Sequence, residues 1–322
     1  MTATDPVRFG VIGVGRITQN RFAPALANAS NATLVAAASR DEARAATLGA
    51  KAYGRYDDLI ADGDVEAVYN ATHNGQHRDL TLQALAAGKH VLCEKPLGRN
   101  AAECEEVINA AQAANLHLVE AFMYRHHPQV AKAAELVKAG AIGELKVVEA
   151  SFSFHLEGED DVRLNPEWGG GGLLDVGCYC VNWCRLFLGD QPVAVRARAA
   201  FHPEHDVDMS LHGVLDYGDG RFGVVSCGFD SGLRHPALLS GTEGIIRVPE
   251  AFLTFPGQTT SVILENASGA ESFACGPVDT FQCEIEDLSD SIRVGRPPLL
   301  PPDEGLHNAR VMASLLAAAR ES

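Results

Sequence analysis

FGVIGVGRIT, residues Phe9–Thr18, decides how this chain folds. An apolar run that begins at Val7 ends on Gly13 and Gly15, and an Ala-rich stretch of helical length, Gln19–Ala29, follows. A strand that turns at once into a helix needs a backbone that tolerates a tight turn, which Gly13 supplies. Gly15 lets the backbone approach a pyrophosphate, and the free amides at the helix start offer positive potential to the same place. Arg16 and Ile17 complete the turn and join Gly13 and Gly15 as expected dinucleotide contacts. Thr18 replaces the third glycine of the GxGxxG fingerprint, so the motif is incomplete and draws its weight from its position after the first strand.

Outward from this turn, Val7–Val14, Leu34–Ser39, Ala67–Thr72, His90–Glu94 and Leu116–Glu120 read as strands. The stretches Gln19–Ala29, Arg40–Leu48, Asp79–Ala87 and Ala101–Ala114 between them read as helices. Strict alternation implies a parallel sheet covered on both faces, and right-handed crossovers make it doubly wound. Gly88 and Lys89 supply the turn and the cation expected at the end of the third helix. Past about residue 125 the pattern changes. Gln129–Ala139 is still helical, but from Glu144 come alternating runs such as LKVVEASFSF, VAVRARAAF and GIIRVPEAFLTF. DYGDG, inside HGVLDYGDGRFGVVSCGF, is a hairpin signal. A helix at about Leu174–Leu188 precedes most of these runs, and Pro297–Pro302 punctuates the chain before a final helix, Glu304–Arg320. The predicted architecture is an α/β Rossmann domain with a doubly wound parallel sheet over residues 1–125. An α+β domain with a large, mostly antiparallel open sheet follows over 126–322, for substrate binding and oligomerisation. Its closing helix, 304–320, is able to pack back toward the first domain.

The end of the second strand chooses between cofactors. An NAD site usually carries an acid there for the ribose hydroxyls. This strand ends Ser39-Arg40, with Arg44 one helical turn later. A hydroxyl and two guanidinium groups suit the 2′-phosphate of NADP, which an acid would repel. Asp41 complicates the choice, because its carboxylate could serve a ribose instead. NADP(H) is preferred, with NAD(H) left open.

Charge and composition exclude other classes. The formal net charge of −16 argues against nucleic acid or an anionic membrane as partner, since both need a basic surface. No apolar run approaches the ~20 residues of a membrane span. The N-terminus, MTATDPVRFG, lacks the charged and apolar segments of a secretory signal, so a cytoplasmic protein is expected. The eight cysteines include no CxxC pair, and Cys178, Cys180 and Cys184 read as buried apolar groups rather than zinc ligands. His126 and His127 are adjacent, and adjacent side chains rarely converge on one ion, so no metal site is expected.

Two segments carry the chemistry: Glu94-Lys95-Pro96 at the end of the fourth strand and GGGGLLDVGCY over Gly169–Tyr179. Together with GVIGVGRI, NATHNGQH and EAFMYRHHPQ, they resemble the glucose–fructose oxidoreductase / inositol dehydrogenase (Gfo/Idh/MocA) family over essentially the whole chain. Within it the chain looks most like the branch of dimeric dihydrodiol dehydrogenase and NADP-dependent D-xylose dehydrogenase. MYRHHPQ and the tyrosine at 179, where inositol dehydrogenases have histidine, carry that closer likeness.

A lysine at the carboxyl end of a parallel strand lies where open α/β sheets bind ligands, and Pro96 restrains the backbone after it. On its own Lys95 would read as a surface lysine. The resemblance makes it catalytic, its ammonium set to stabilise a developing alkoxide. Asp175 and Tyr179, four residues apart, share a face if Leu174 onward is helical. A free phenol titrates near 10, and a neighbouring ammonium brings it down, so Lys95 and Tyr179 make a coupled acid–base pair once the resemblance brings them together. Asp175 is the third catalytic residue, orienting the substrate hydroxyl or Lys95. The resemblance further implies cofactor contacts from Thr72, His73, Asn74, His77, Glu94, Lys95 and Arg125. It also implies substrate contacts from Lys95, Tyr124, Trp168, Asp175 and Tyr179. Two positions depart from the pattern: His73 stands where many members have proline, and Asn182 where some have an acid that contacts a polyol.

The function implied is NADP(H)-dependent hydride transfer to or from a sugar (aldose or ketosugar) or a cyclic diol, by an enzyme that forms a homodimer or higher homo-oligomer. Two alternatives remain. One is an NADP(H)-sensing regulator without turnover, and the other an NAD(P)-dependent glycoside hydrolase that recycles its cofactor.

Overall fold

Strand β1, Val7–Ile12, lies at the centre of a sheet built as its composition requires: Val7, Phe9, Val11 and Ile12 are all fully buried. A strand apolar on successive positions must be covered on both faces, and a parallel sheet with crossover helices does that. The computed structural model of the chain describes residues 5–158 and 161–321. Residues 1–4, part of the stretch in which no secretory signal is expected, lie outside the described residues. The other strands of this sheet are β2 (Ala32–Ala38), β3 (Lys51–Tyr53), β4 (Ala67–Asn70), β5 (His90–Glu94) and β6 (Leu118–Ala121). Their order is β3-β2-β1-β4-β5-β6 and every pairing is parallel. The order in which strands are added reverses at β1, so the strand ends at Ile12 and Ala38 open on the crevice where such sheets bind dinucleotides.

Four of the expected strands shift by one or two residues at their ends. The helix expected from Asp79 begins at Asn74, directly after the β4 loop. The short strand β3 and the helix Tyr56–Ile60 are additions.

The second sheet has nine strands: β7 (Leu145–His155), β8 (Ala194–Phe201), β9 (Asp208–Asp216), β10 (Phe222–Gly228), β11 (Asp230–Arg234), β12 (Ala237–Gly241), β13 (Gly244–Val248), β14 (Thr260–Asn266) and β15 (Gly269–Cys275). The order is β15-β14-β13-β12-β7-β10-β9-β8, with β11 also paired to β7. Only β7–β10 is parallel among these pairings. The DYGDG hairpin joins β9 to β10. One face is covered by the helix Cys178–Leu188, whose Cys178, Cys180, Val181, Trp183 and Cys184 are fully buried.

The chain divides into two compact units, though not by a single cut at residue 125. The first runs to Met123 and also takes Thr280–Leu306. The second takes Tyr124–Asp279 and the residues from His307 onward. What returns to the first unit is therefore 280–306, while most of the closing helix Glu304–Arg320 belongs to the second. The helix Thr280–Val294 is held in the first unit by Arg293, whose guanidinium bonds Glu66 at 2.8 and 3.0 Å, and by Glu286 and Asp290, which accept from Ser30 and Asn31.

Among the described residues no helix is long and apolar enough to cross a membrane, and no group of three or more His, Cys, Asp or Glu could hold a metal ion. All eight cysteines are free, and seven are buried.

Candidate active site

The glycine turn follows from two local constraints. Gly13 sits at φ +91°, and a Cβ there would lie 2.5 Å from the Ala71 carbonyl oxygen, so only glycine lets the β1 and β4 ends close together. Gly15 is exposed, and a Cβ there would meet nothing within 4 Å. The chain's own packing thus leaves room over Gly15, as a pyrophosphate resting on the backbone would require. Thr18, in place of the third glycine, is fully buried, and its hydroxyl donates to the Gly13 carbonyl at 2.7 Å. The side chain that breaks the fingerprint closes the turn from within. Arg16 and Ile17 are exposed beside it.

At the end of β2, Ser39 is buried and Arg40 exposed. Asp41 has a local role. Its Oδ1 accepts from the amides of Ala43 and Arg44 at 3.1 and 3.4 Å, capping the helix Glu42–Ala46. That carboxylate caps and partly neutralises the helix start. Arg44 is exposed in the last turn of this short helix. His73 precedes the helix Asn74–Ala86, and burial, then Arg40 and Arg99, holds its imidazole below the usual histidine range. The Arg40 guanidinium at the β2 end thus acts on the β4 loop, a charge that suits an anionic cofactor.

Lys95, half-buried, follows β5. Glu94 turns back: its Oε2 accepts from the Lys95 amide at 3.3 Å and its Oε1 from the Tyr69 hydroxyl at 2.5 Å. His77 is fully buried between two loops, with Nδ1 2.8 Å from the Pro96 carbonyl and Nε2 3.1 Å from the Thr72 carbonyl. Burial pushes it down to about 4, so the ring is neutral and its single N–H donates to one of these two carbonyls, of which Pro96 is the nearer. Thr72 is braced in turn by Asn70, whose Oδ1 accepts from its hydroxyl at 2.8 Å. Asn74 opens the following helix, half-buried.

The second unit carries the other half of the expected site. Leu173–Gly177 winds as a wider π-helical turn before the α-helix Cys178–Leu188, so Asp175 and Tyr179 straddle the junction. Such turns recur at functional sites. Arg163 donates to Asp175 Oδ2 at 2.6 Å and is itself held above its usual value, first by the Asp175 charge. Sequence reading missed this partner, which lies 12 residues away with no motif to mark it. Tyr179 is 5% exposed and packs among Tyr124, Phe152 and Phe252 at ring-centroid distances of 5.4–5.8 Å. Asn182 is fully buried and its Oδ1 accepts from the Tyr124 hydroxyl and, at 3.1 Å, from Arg125. Position 182 thus orders Tyr124 and Arg125. Trp168 lines a cavity of about 430 Å³ with Asp161, Leu164, Asn165 and His205. His127 caps the helix Pro128–Lys138, its Nδ1 accepting from the Gln129 amide at 3.1 Å.

A glycine turn opening a doubly wound sheet, arginines after its second strand, and a large open sheet covered by a helix that bears a buried tyrosine define the class of dinucleotide-dependent oxidoreductases. The chain belongs to the Gfo/Idh/MocA family. Residues 7–122 match its oxidoreductase model with an NAD-binding Rossmann fold, and residues 130–247 match a GFO/IDH/MocA C-terminal domain. It is 35% identical to D-xylose 1-dehydrogenase (NADP(+)) 2 of Haloferax volcanii over 97% of each chain. It is 36% identical to trans-1,2-dihydrobenzene-1,2-diol dehydrogenase of Xenopus laevis, over 80% of this chain and 78% of that one. A crystal structure of a 3-ketoreductase from Actinomadura kijaniata, in complex with NADP and TDP-benzene, superposes with a TM-score of 0.93 at 29% identity over 98% of each chain.

Proposed function

We propose that this chain is an NADP(H)-dependent oxidoreductase acting on a sugar or a cyclic diol, with Lys95 and Tyr179 handling the proton. The observation that carries the cofactor preference is the capping role of Asp41. With that carboxylate bound to its own helix start, Ser39, Arg40 and Arg44 are left to meet a 2′-phosphate. The substrate class is supported by the named activities of the relatives, which are a xylose dehydrogenase, a dihydrodiol dehydrogenase and a ketoreductase.

Nicotinamide, when bound, supplies or takes up the hydride. The chain's own residues do the rest. Gly13 and Gly15 admit the pyrophosphate to the backbone, and Thr18 holds their turn. Glu94 and His77 hold the backbone on either side of Lys95, so its ammonium has a fixed base from which to stabilise negative charge on the reacting oxygen. Tyr179 exchanges the hydroxyl proton from its phenolic oxygen, in a cage of aromatic rings that excludes water. Asp175, oriented by Arg163, aligns a substrate hydroxyl.

The test is a reduction screen with NADP+ and NAD+ against aldoses, polyols and cyclic diols, using the wild type, Lys95→Ala and Tyr179→Phe. Turnover should appear with NADP+, and each variant should lose about 10²–10⁴-fold in kcat while still binding NADPH. Full activity in Tyr179→Phe removes the proton role. Tight NADPH binding with no turnover on any substrate favours a sensor instead.

A further inference from the structure

Asp208, which the proposed chemistry does not use, opens β9 and is 4% exposed. Its Oδ2 accepts from the Leu173 amide at 2.6 Å, and the Gly172 amide also bonds the carboxylate. The backbone opposite has no room for a side chain. Gly171 stands at φ +107°, and a Cβ on it would collide with Asp208 Oδ1. A Cβ on Gly172 would lie 3.2 Å from the Gly228 Cα and 3.4 Å from Asp208 Oδ2. The carboxylate fills the hollow that the glycines leave. From there the contacts continue without a break, because the Gly171 carbonyl accepts from the Asp175 amide at 3.1 Å and Tyr179 stands one turn further on.

We propose that Asp208 is a positioning residue, whose buried carboxylate fixes the Gly171–Leu173 turn and so sets how Asp175 and Tyr179 are presented. The catalytic part of this inference rests on the reading of Tyr179 as the proton-exchanging group; the positioning part does not.

Burial pushes the Asp208 carboxyl up to about 6, against the opposing pull of the Leu173, Asp208 and Gly172 amides and of Arg320. The charged and titratable groups around it come from four elements. Arg320, from the closing helix, is paired with Asp206 at 3.0 Å. Ser210, two residues along β9, donates to Asp230 on β11. Cys227 on β10 is a thiol that burial keeps neutral. Asp175, at the helix start, is bound by Arg163. At pH 7.5 Asp208 is ionised and accepts strong, charge-assisted bonds. Below 6 a neutral carboxyl accepts weaker ones, and the turn loosens. Because its folded-state value lies above the ordinary carboxylate value, protonation of Asp208 favours the folded chain. The loosening is therefore local, and it separates from global unfolding.

The experiment follows hydrogen exchange of peptides covering residues 169–177 in the full chain between pH 5 and 8, corrected for intrinsic exchange, beside kcat over the same range. Wild-type protection should fall about tenfold as pH drops through 6, with kcat following. Asp208→Asn keeps an acceptor oxygen but cannot titrate, so its protection should be flat. Arg320→Gln, at an exposed site, should move the wild-type transition to higher pH and guards against a misfolded Asp208→Asn. An unchanged transition in Asp208→Asn, or an unmoved one in Arg320→Gln, overturns the proposal. If Asp208→Asn abolishes the transition while Tyr179→Phe keeps full turnover, Asp208 still positions the helix and only the role of Tyr179 fails.

Discussion

Removing the Arg40 guanidinium should cost NADP+ and spare NAD+. Arg40 is exposed at the end of β2, beside the buried Ser39 and close enough to His73 to add to the effect of burial in lowering that imidazole below its ordinary value. Nothing acidic competes for it there from Asp41, whose Oδ1 serves the amides of Ala43 and Arg44. A charge-assisted bond to phosphate contributes about 1.5–3 kcal/mol. The corner is open to water, so the lower half of that range applies, about 1.5–2 kcal/mol. Converted at ~1.4 kcal/mol per decade, Arg40→Ala should lower kcat/KM for NADP+ about 10- to 30-fold. The loss should lie in KM with kcat nearly unchanged, because a 2′-phosphate is equally bound in ground and transition states. Efficiency with NAD+ should change less than about threefold. Initial rates with both cofactors at saturating substrate give the ratio, and added salt should shrink the wild-type preference. Equal losses with both cofactors, or no loss with NADP+, would refute the assignment of the corner. Asp41→Ala is the contrast: it removes a cap contributing ~1 kcal/mol and should weaken both cofactors together.

Thr18→Val deletes the hydroxyl that satisfies the buried Gly13 carbonyl and should destabilise the chain by about 1–3 kcal/mol in urea denaturation, with a parallel loss of dinucleotide binding. His77 predicts an acid sensitivity of definite sign. Its folded-state value is depressed to about 4, so the stability it contributes is present above about 6.5 and lost as pH falls from there toward 4. The loss amounts to roughly 3 kcal/mol. Urea midpoints at pH 7.5 and 5 should differ less in His77→Gln than in the wild type, and an identical pH dependence in the two would count against a neutral, buried His77.

Local chemistry made much of this legible. The β1 run, the Gly13 turn and the strand–helix alternation each follow from residues within a few positions of one another, and the parallel sheet follows from their order. The final helix was readable to the residue, Glu304–Arg320, for the same reason. The destination of segment 280–306 was not readable. Arg293 and Glu66 are 227 positions apart, and a charge on an amphipathic helix does not announce its partner. Within the candidate site, Lys95, Asp175 and Tyr179 were found by resemblance. Their supports, His77 between two carbonyls, Arg163 on Asp175 and Asn182 under Tyr124 and Arg125, needed coordinates.

What the sequence determined by itself is the place where a dinucleotide can rest, because positive φ, close backbone approach and a free helix start are properties of ten consecutive residues. Tertiary structure alone decided what the ambiguous polar residues do. Thr18 could have been a lost glycine and is a clasp on the turn; Asp41 could have met a ribose and caps a helix. Asp208 carried no motif, yet it fills the hollow beside the glycines that lead to Tyr179. A polar side chain has several partners within reach of its chemistry, and only packing, which brings distant segments together and shuts out water, selects one.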